Sequence, residues 1–179
     1  VSFDSGRDTF RLKEYPEYKA NRQAMPDPLR EQMSEIVKGV KLFDIPVYQL
    51  QGFEADDIIG TIAEKADKLG HTTLILTGDR DSFQLLDEHK HVRVLIPSHG
   101  ELTEYDREAV HHRMGVWPEN IIDLKGLSGD SSDNIPGVKG IGEKTAIKLI
   151  EEFGTVENVL ANIDKITSKS LKEKLEAGK

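Results

Sequence analysis

Short β-branched runs alternate with helix-period segments through the first hundred residues, and this alternation most constrains what the chain can fold into. Val1-Ser2-Phe3 reads as the end of a buried strand. After a polar stretch from Arg7 to Arg30, Met33, Ile36, Val37, Val40 and Phe43 recur at helical spacing. Pro46 leads into Val47-Tyr48-Gln49-Leu50, a short strand. Ile58, Ile59, Ile62, Ala63, Ala66 and Leu69 then line one face of a helix opening at Ala55, with Gly70 where a C-terminal cap belongs. Thr72 to Thr77 and Val92 to Ile96 are further strand-like runs. Strands alternating with amphipathic helices indicate a parallel α/β sheet. Beyond about Tyr105 the pattern turns helical, over Ile121 to Leu127, Glu143 to Phe153, Val156 to Ile163 and Ser170 to Leu175, and no strand pattern recurs. The sequence therefore predicts an α/β core over residues 1–110 and a helical domain over 111–179.

Carboxylates stand where the strand runs end: Asp4, then Glu54, Asp56 and Asp57, then Asp79 and Asp81. In an open parallel sheet, functional groups gather beyond the carboxyl ends of the strands. Taken singly, Asp56 and Asp57 read as helix caps, Asp4 as a turn residue and Gly78-Asp79-Arg80-Asp81 as a solvated turn. Their recurrence at successive strand ends favours a shared role. Mutual repulsion disfavours such a concentration unless something positive binds it. Hard oxygen ligands suit Mg²⁺ or Mn²⁺, and this many acids point to two or more ions, as in two-metal phosphodiester hydrolysis.

The net charge of −8 argues against a basic nucleic-acid footprint. Setting aside those six acids with Asp130 and Asp133 leaves 24 of the 32 Asp and Glu, equal to the 24 Lys and Arg. A chain neutral apart from clustered carboxylates fits divalent cations that reverse the field a phosphodiester meets. Cysteine is absent, which excludes disulfides and thiolate zinc sites. No apolar run approaches bilayer-spanning length, so no membrane partner is expected.

Asp130-Ser131-Ser132-Asp133-Asn134 precedes closely spaced Gly137, Gly140 and Gly142 and a helix opening at Glu143. Such glycines permit a tight turn whose backbone N–H groups hold a phosphate without reading a base. Lys139, Lys144 and Lys148 add positive charge nearby. A plain helix–turn–helix joint explains the same spacing. The pattern is neither a Walker A loop nor a Rossmann fingerprint, because no strand precedes it.

Taken together, Glu54-Ala55-Asp56-Asp57, Thr77-Gly78-Asp79-Arg80-Asp81, Gly129-Asp130-Ser131-Ser132-Asp133-Asn134-Ile135-Pro136-Gly137 and Gly140-Ile141-Gly142-Glu143-Lys144-Thr145-Ala146 resemble the bacterial 5′-3′ exonuclease and flap endonuclease family. Within that family the likeness is to the N-terminal nuclease domain of bacterial DNA polymerase I, and it includes Tyr15-Pro16-Glu17-Tyr18-Lys19-Ala20-Asn21-Arg22. The resemblance implies a PIN-like α/β nuclease core followed by a helix–hairpin–helix region that binds duplex DNA. It places Asp4, Glu54, Asp56, Asp57, Asp79, Asp81, Asp130 and Asp133 among the family's metal-site carboxylates. It also puts residues of about 10–32 in an arch, where Lys19 acts on the scissile phosphate and Arg22 supports it. Tyr15 and Tyr18 suit stacking on an unpaired base or packing within the arch. The turn from Gly137 to Gly142 matches the family's phosphate-binding turn, with K⁺ bridging carbonyls and DNA.

The family's first strand, with a metal-binding Asp of its own, has no counterpart after Val1, so a truncated and impaired fragment is expected, with roughly ~60 residues preceding it. The activity expected of the parent is metal-dependent hydrolysis of DNA at 5′ flaps, nicks or single-strand/duplex junctions, in a bacterial cytoplasm at the nucleoid, with a polymerase domain in the same parent chain. The rival readings are a non-catalytic flap-DNA-binding fragment, a PIN-type ribonuclease and a small-substrate phosphatase. His71, His89, His91, His99, His111 and His112 form no ligand set and are expected on the surface, and Trp117 in the core.

Overall fold

A computed structural model describes residues 1–88 and 91–178. The chain divides into two compact units, Val1–Ile62 and Ala63–Lys179, and the division falls within one helix.

The first unit holds helix α1 (Phe10–Glu14), helix α2 (Asp27–Leu42) and the opening turns of α3 (Ala55–Lys68). Thr9 starts α1: its hydroxyl accepts the Leu12 N–H, and it is the one buried residue among those described in this unit. Phe10 meets Phe53 with ring centroids 5.7 Å apart. The apolar stripe of α2 lies at the expected spacing, yet the helix buries none of its residues. The two strands expected at Val1-Ser2-Phe3 and Val47 to Leu50 shrink to a single parallel bridge between Ser2 and Tyr48. Two backbone bonds make it, Phe3 N–H to Tyr48 O at 3.0 Å and Tyr48 N–H to Val1 O at 2.9 Å. Beyond it the contacts are made by side chains: Ser5 Oγ donates to Leu50 O and Gln49 Nε2 to Asp4 O.

The second unit carries the sheet. β1 (Thr73–Leu76) runs parallel to β2 (Val92–Ser98), with Ile75 opposite Val94, and β3 (Glu101–Tyr105) adds an antiparallel edge. That edge strand departs from the all-parallel expectation. Its sequence is mostly polar and exposed, so no apolar alternation announces it. The link is a tight hairpin at His99 and Gly100, whose φ values of 51° and 84° match the primed turns that suit strand twist. Ile75, Val92, Val94 and Ile96 face the core with Phe83, whose ring lies 4.7 Å from that of Tyr105.

Helices α4 (Arg107–Met114), α5 (Ile121–Ser128), α6 (Glu143–Phe153), α7 (Val156–Ala161) and α8 (Lys169–Ala177) complete the unit. Ile121, Leu124, Leu127, Ala146, Leu149, Ile150, Val159 and Leu175 form its helical core. A two-residue pair, β4 (Gly129–Asp130) with β5 (Ile135–Pro136), interrupts the helices where no strand was expected. Trp117 departs from its predicted core position. It is half-exposed, stacked 4.0 Å from the His111 ring, with the Arg107 guanidinium 3.8 Å over its face, so its indole shields polar groups instead of filling the core. His111 is accordingly half-buried. His71, His91, His99 and His112 are exposed as expected, and His89 lies outside the described residues. Among the described residues, no helix is long and apolar enough to cross a membrane.

Candidate metal centre and phosphate-binding turn

In the first unit the acids gather at the N-terminus of α3. Asp4 lies at the end of the Ser2–Tyr48 bridge, and its carboxylate accepts the Ala55 N–H at 2.7 Å, capping the first turn. Asp57 reaches back to accept the Glu54 N–H at 2.9 Å, the reciprocal half of a capping box. Both Asp57 oxygens also take the Arg11 guanidinium, at 2.7 and 2.8 Å. Those donors, Arg11 first, hold the Asp57 carboxyl below the usual carboxylate range against the effect of burial, and the Asp57 carboxylate, with Glu54, in turn pushes Arg11 upward. Glu54 accepts the Tyr18 hydroxyl at 3.0 Å and the Lys19 ammonium at 2.8 Å, with Arg11 3.5 Å away. Lys19 reaches it from a left-handed backbone at φ 54°. Asp56 and Arg22 are exposed, and Tyr15 is half-buried. Tyr18 is thus engaged by its hydroxyl and lies beneath the Lys19 ammonium, 4.7 Å from the ring centroid.

In the second unit Asp79 and Asp81 follow β1. Asp79 caps the 3₁₀ turn Arg80–Leu85 by accepting the Asp81 N–H at 2.9 Å. Asp81, Asp130 and Asp133 each offer an oxygen within 4.8 Å of the others, and Asp133 is buried. Asp130 sits on β4, where its Oδ1 accepts Ser132 N–H at 2.8 Å, Ser132 Oγ at 2.6 Å and the Asp133 N–H at 3.3 Å. Its Oδ2 accepts the Lys125 ammonium at 2.5 Å, and the same ammonium donates to Asp81 Oδ1. Burial alone would raise Asp130. The Lys125 and Ser132 donors outweigh it and hold that carboxyl at about 2. Asp81 moves the other way: burial raises it, helped by Asp79 and Asp130, and Lys125 offsets only part of that rise. Burial disfavours charge on Lys125, yet its two carboxylate partners raise it.

Two residues of these arrangements escaped the sequence reading. Arg11 lies in a polar segment with no pattern pointing to α3. Lys125 had a weak signal, since it and Asp123 are the charged residues of an otherwise apolar helix.

The three glycines of the predicted turn separate by role. A Cβ on Gly137 would come within 2.2 Å of Gly129 N, so Gly137 serves close backbone packing, and Gly129 is its unforeseen partner at φ 80°. Gly140 needs its left-handed φ of 83°, and its carbonyl accepts the Lys174 ammonium at 3.0 Å. Gly142 is the N-cap of α6, and a Cβ there would meet nothing within 4 Å. Lys139, Lys144 and Lys148 near it are exposed. A cavity of about 570 Å³ lies elsewhere, against Thr72, Leu86, Asp87, Glu88, Arg93 and Asp106, and none of the predicted site residues lines it.

Residues 1–115 match the family described as 5′-3′ exonuclease, N-terminal resolvase-like domain, and residues 116–179 match 5′-3′ exonuclease, C-terminal SAM fold. DNA polymerase I of Bacillus caldotenax is 49% identical over 175 residues, covering 98% of this chain and 20% of the relative. The chain thus spans about a fifth of the length of such relatives. T5 5′-exonuclease, solved with bound divalent metal ions (zinc), superposes with a TM-score of 0.82 at 30% identity, over 99% of this chain and 68% of that one. T5 D15 flap endonuclease, in a pseudo-enzyme-product complex with DNA and metal ions, superposes at 0.81 and 30% identity, over 99% and 68%. The expected order, a PIN-like α/β core followed by a helical part, is therefore met by the resolvase-like and SAM-fold matches.

Proposed function

This chain belongs to the 5′-3′ exonuclease family, and we propose that it carries the metal-dependent nuclease site of a bacterial protein that cuts DNA at 5′ flaps, nicks or single-strand/duplex junctions. The observation that carries this reading is the convergence of Asp81, Asp130 and Asp133 within 4.8 Å from separate elements. Hard carboxylate oxygens at that spacing fit Mg²⁺ or Mn²⁺. A divalent cation there supplies Lewis-acid stabilisation of phosphate charge and lowers the pKa of water.

The chain's own residues do the rest. Asp81, Asp130 and Asp133 are proposed as one ligand group with Asp79 from the same turn beside them, and Asp4, Glu54 and Asp56, which do not converge within 4.8 Å among the described residues, are proposed as further ligands, so two or more ions are proposed. Asp57 enters as their support, because Arg11 takes both its oxygens. Lys19 is proposed to neutralise the scissile phosphate, exchanging Glu54 for it, with Arg22 beside it and Tyr15 and Tyr18 offering aromatic faces to an unpaired base. Gly140, Gly142, Lys139, Lys144 and Lys148 hold duplex phosphates without reading sequence, while Gly137 keeps the turn closed. K⁺ at this turn belongs to the same proposal, and it would displace the Lys174 ammonium from the Gly140 carbonyl. The catalytic part is proposed to span 1–110 and the DNA-positioning part 111–179, in the bacterial cytoplasm at the nucleoid, with a polymerase domain in the same parent chain as in the relatives named DNA polymerase I.

The test is cleavage of a labelled 5′-flap duplex in Mg²⁺ or Mn²⁺, compared with the same strand as RNA. Metal-dependent cutting of the DNA flap that Asp130→Asn abolishes supports the proposal. Equal or preferential cutting of RNA, or cutting unaffected by chelator, overturns it.

A further inference from the structure

Lys125 stands on the oxygens that a divalent cation needs. Asp130 Oδ1 is already occupied by three donors from Ser132 and Asp133, which leaves Oδ2 as the oxygen facing its neighbours. Lys125 donates to that Oδ2 at 2.5 Å and, with the same ammonium, to Asp81 Oδ1. These two acids belong to the three-carboxylate group. A lysine head is a compact point charge on a flexible four-carbon stem, so it can both fill such a position and withdraw from it. A divalent ion beside that ammonium would meet strong like-charge repulsion, because the Asp130 side chain is only 9% exposed and poorly screened.

We propose that Lys125 is an internal counter-ion that competes with the divalent cation for Asp81 and Asp130, keeping the two acids together while weakening metal binding. It is a positioning residue, and the inference rests on the reading of Asp81, Asp130 and Asp133 as metal ligands. Removing the ammonium removes the competitor and leaves two uncompensated acids, so metal binding tightens.

The experiment is calorimetric titration of the 179-residue chain with Mn²⁺, for wild type and the variants Lys125→Met, Lys125→Arg, Asp130→Asn and Lys165→Met. Lys165 is exposed and controls for overall charge. Lys125→Met is expected to bind Mn²⁺ about tenfold more tightly, the usual range for coupled sites. Lys125→Arg should stay close to wild type and Lys165→Met should be unchanged. With chelator present Lys125→Met should melt below wild type, and Mn²⁺ should raise its Tm by more than it raises that of wild type. If Lys125→Met does not fold by circular dichroism, Lys125→Gln carries the same expectation. Binding that is unchanged or weakened in the Lys125 variant, or tightened as much by Lys165→Met, overturns the inference. If Asp130→Asn binds Mn²⁺ as wild type does, or if none of the proteins binds it, the metal assignment itself fails, and this inference with it.

Discussion

Around α3 in the first unit, acids are matched by cations from a segment that buries almost nothing: α1 and α2 bury no residue, and Arg11 and Lys19 supply the contacts to Asp57 and Glu54. In the second unit the acids stand on a packed core. Asp81 lies in a turn whose Phe83 is fully buried, and Asp130 follows a helix that buries Ile121, Leu124 and Leu127. One lysine joins them. The contrast separates two ways to hold repelling carboxylates close. Ion pairs from a barely buried segment do it in the first unit, and in the second one ion pair is backed by core packing and by the Ser132 and Asp133 donors on Asp130.

The largest expected effect sets Asp130 against Asp57. Asp130→Asn should lower metal-dependent cleavage of a 5′-flap duplex by on the order of 10³-fold, as loss of a central electrostatic group does. Asp57→Asn should cost nearer tenfold, the scale of a supporting partner. Equal losses in a side-by-side rate measurement would erase the distinction.

Packing comes next. Gly137→Ala drives a Cβ to 2.2 Å from backbone and should destabilise the protein by about 3 kcal/mol or more, whereas Gly142→Ala, which meets nothing, should cost under about 1 kcal/mol. Urea unfolding of the two variants reads the difference directly.

A smaller effect belongs to Arg11→Gln, expected to cost about 1 kcal/mol because the pair is partly exposed. Salt distinguishes the units here: near 1 M NaCl, where the Debye length is about 3 Å, the Arg11→Gln penalty should shrink while the Gly137→Ala penalty persists.

The last contrast is in pH dependence, where the effect shows only on acidification. Asp130 is held at about 2 against an ordinary value of 3.8, so its folded pKa is depressed. Its stabilising contribution is therefore complete above the unfolded value and is lost as pH falls from about 4 toward about 2. The stability gap between wild type and Asp130→Asn should be flat near neutrality and should close through that window. A gap that widens on acidification would contradict the assigned direction.

Periodicity was a sound guide where burial is one-sided. Helix α3 and helix α6 lie where their apolar spacing places them, because a repeat of three to four residues can bury only one helical face. It failed for β3, whose Glu101, Thr103 and Glu104 are exposed and leave no alternation to detect. It failed again for Val1-Ser2-Phe3 and Val47 to Leu50, which look like strands but make one bridge, because strand pairing depends on a partner and on which donors reach its carbonyls. Trp117 was misplaced for a related reason: an indole satisfies its apolar faces equally well between a guanidinium and an imidazole.

By itself the sequence determined the residue chemistry: hard oxygen ligands, the order of an α/β part before a helical part, and the glycines without which a tight turn cannot close. Those properties are local, set by side-chain type, spacing and backbone freedom. Only the tertiary structure decided that Asp81, Asp130 and Asp133 share a point while Lys125 occupies two of their oxygens, and that Arg11 belongs to Asp57. The physical reason is that ion pairing acts over a few ångströms of space between residues distant in sequence, and no spacing rule encodes where a flexible cationic stem will end.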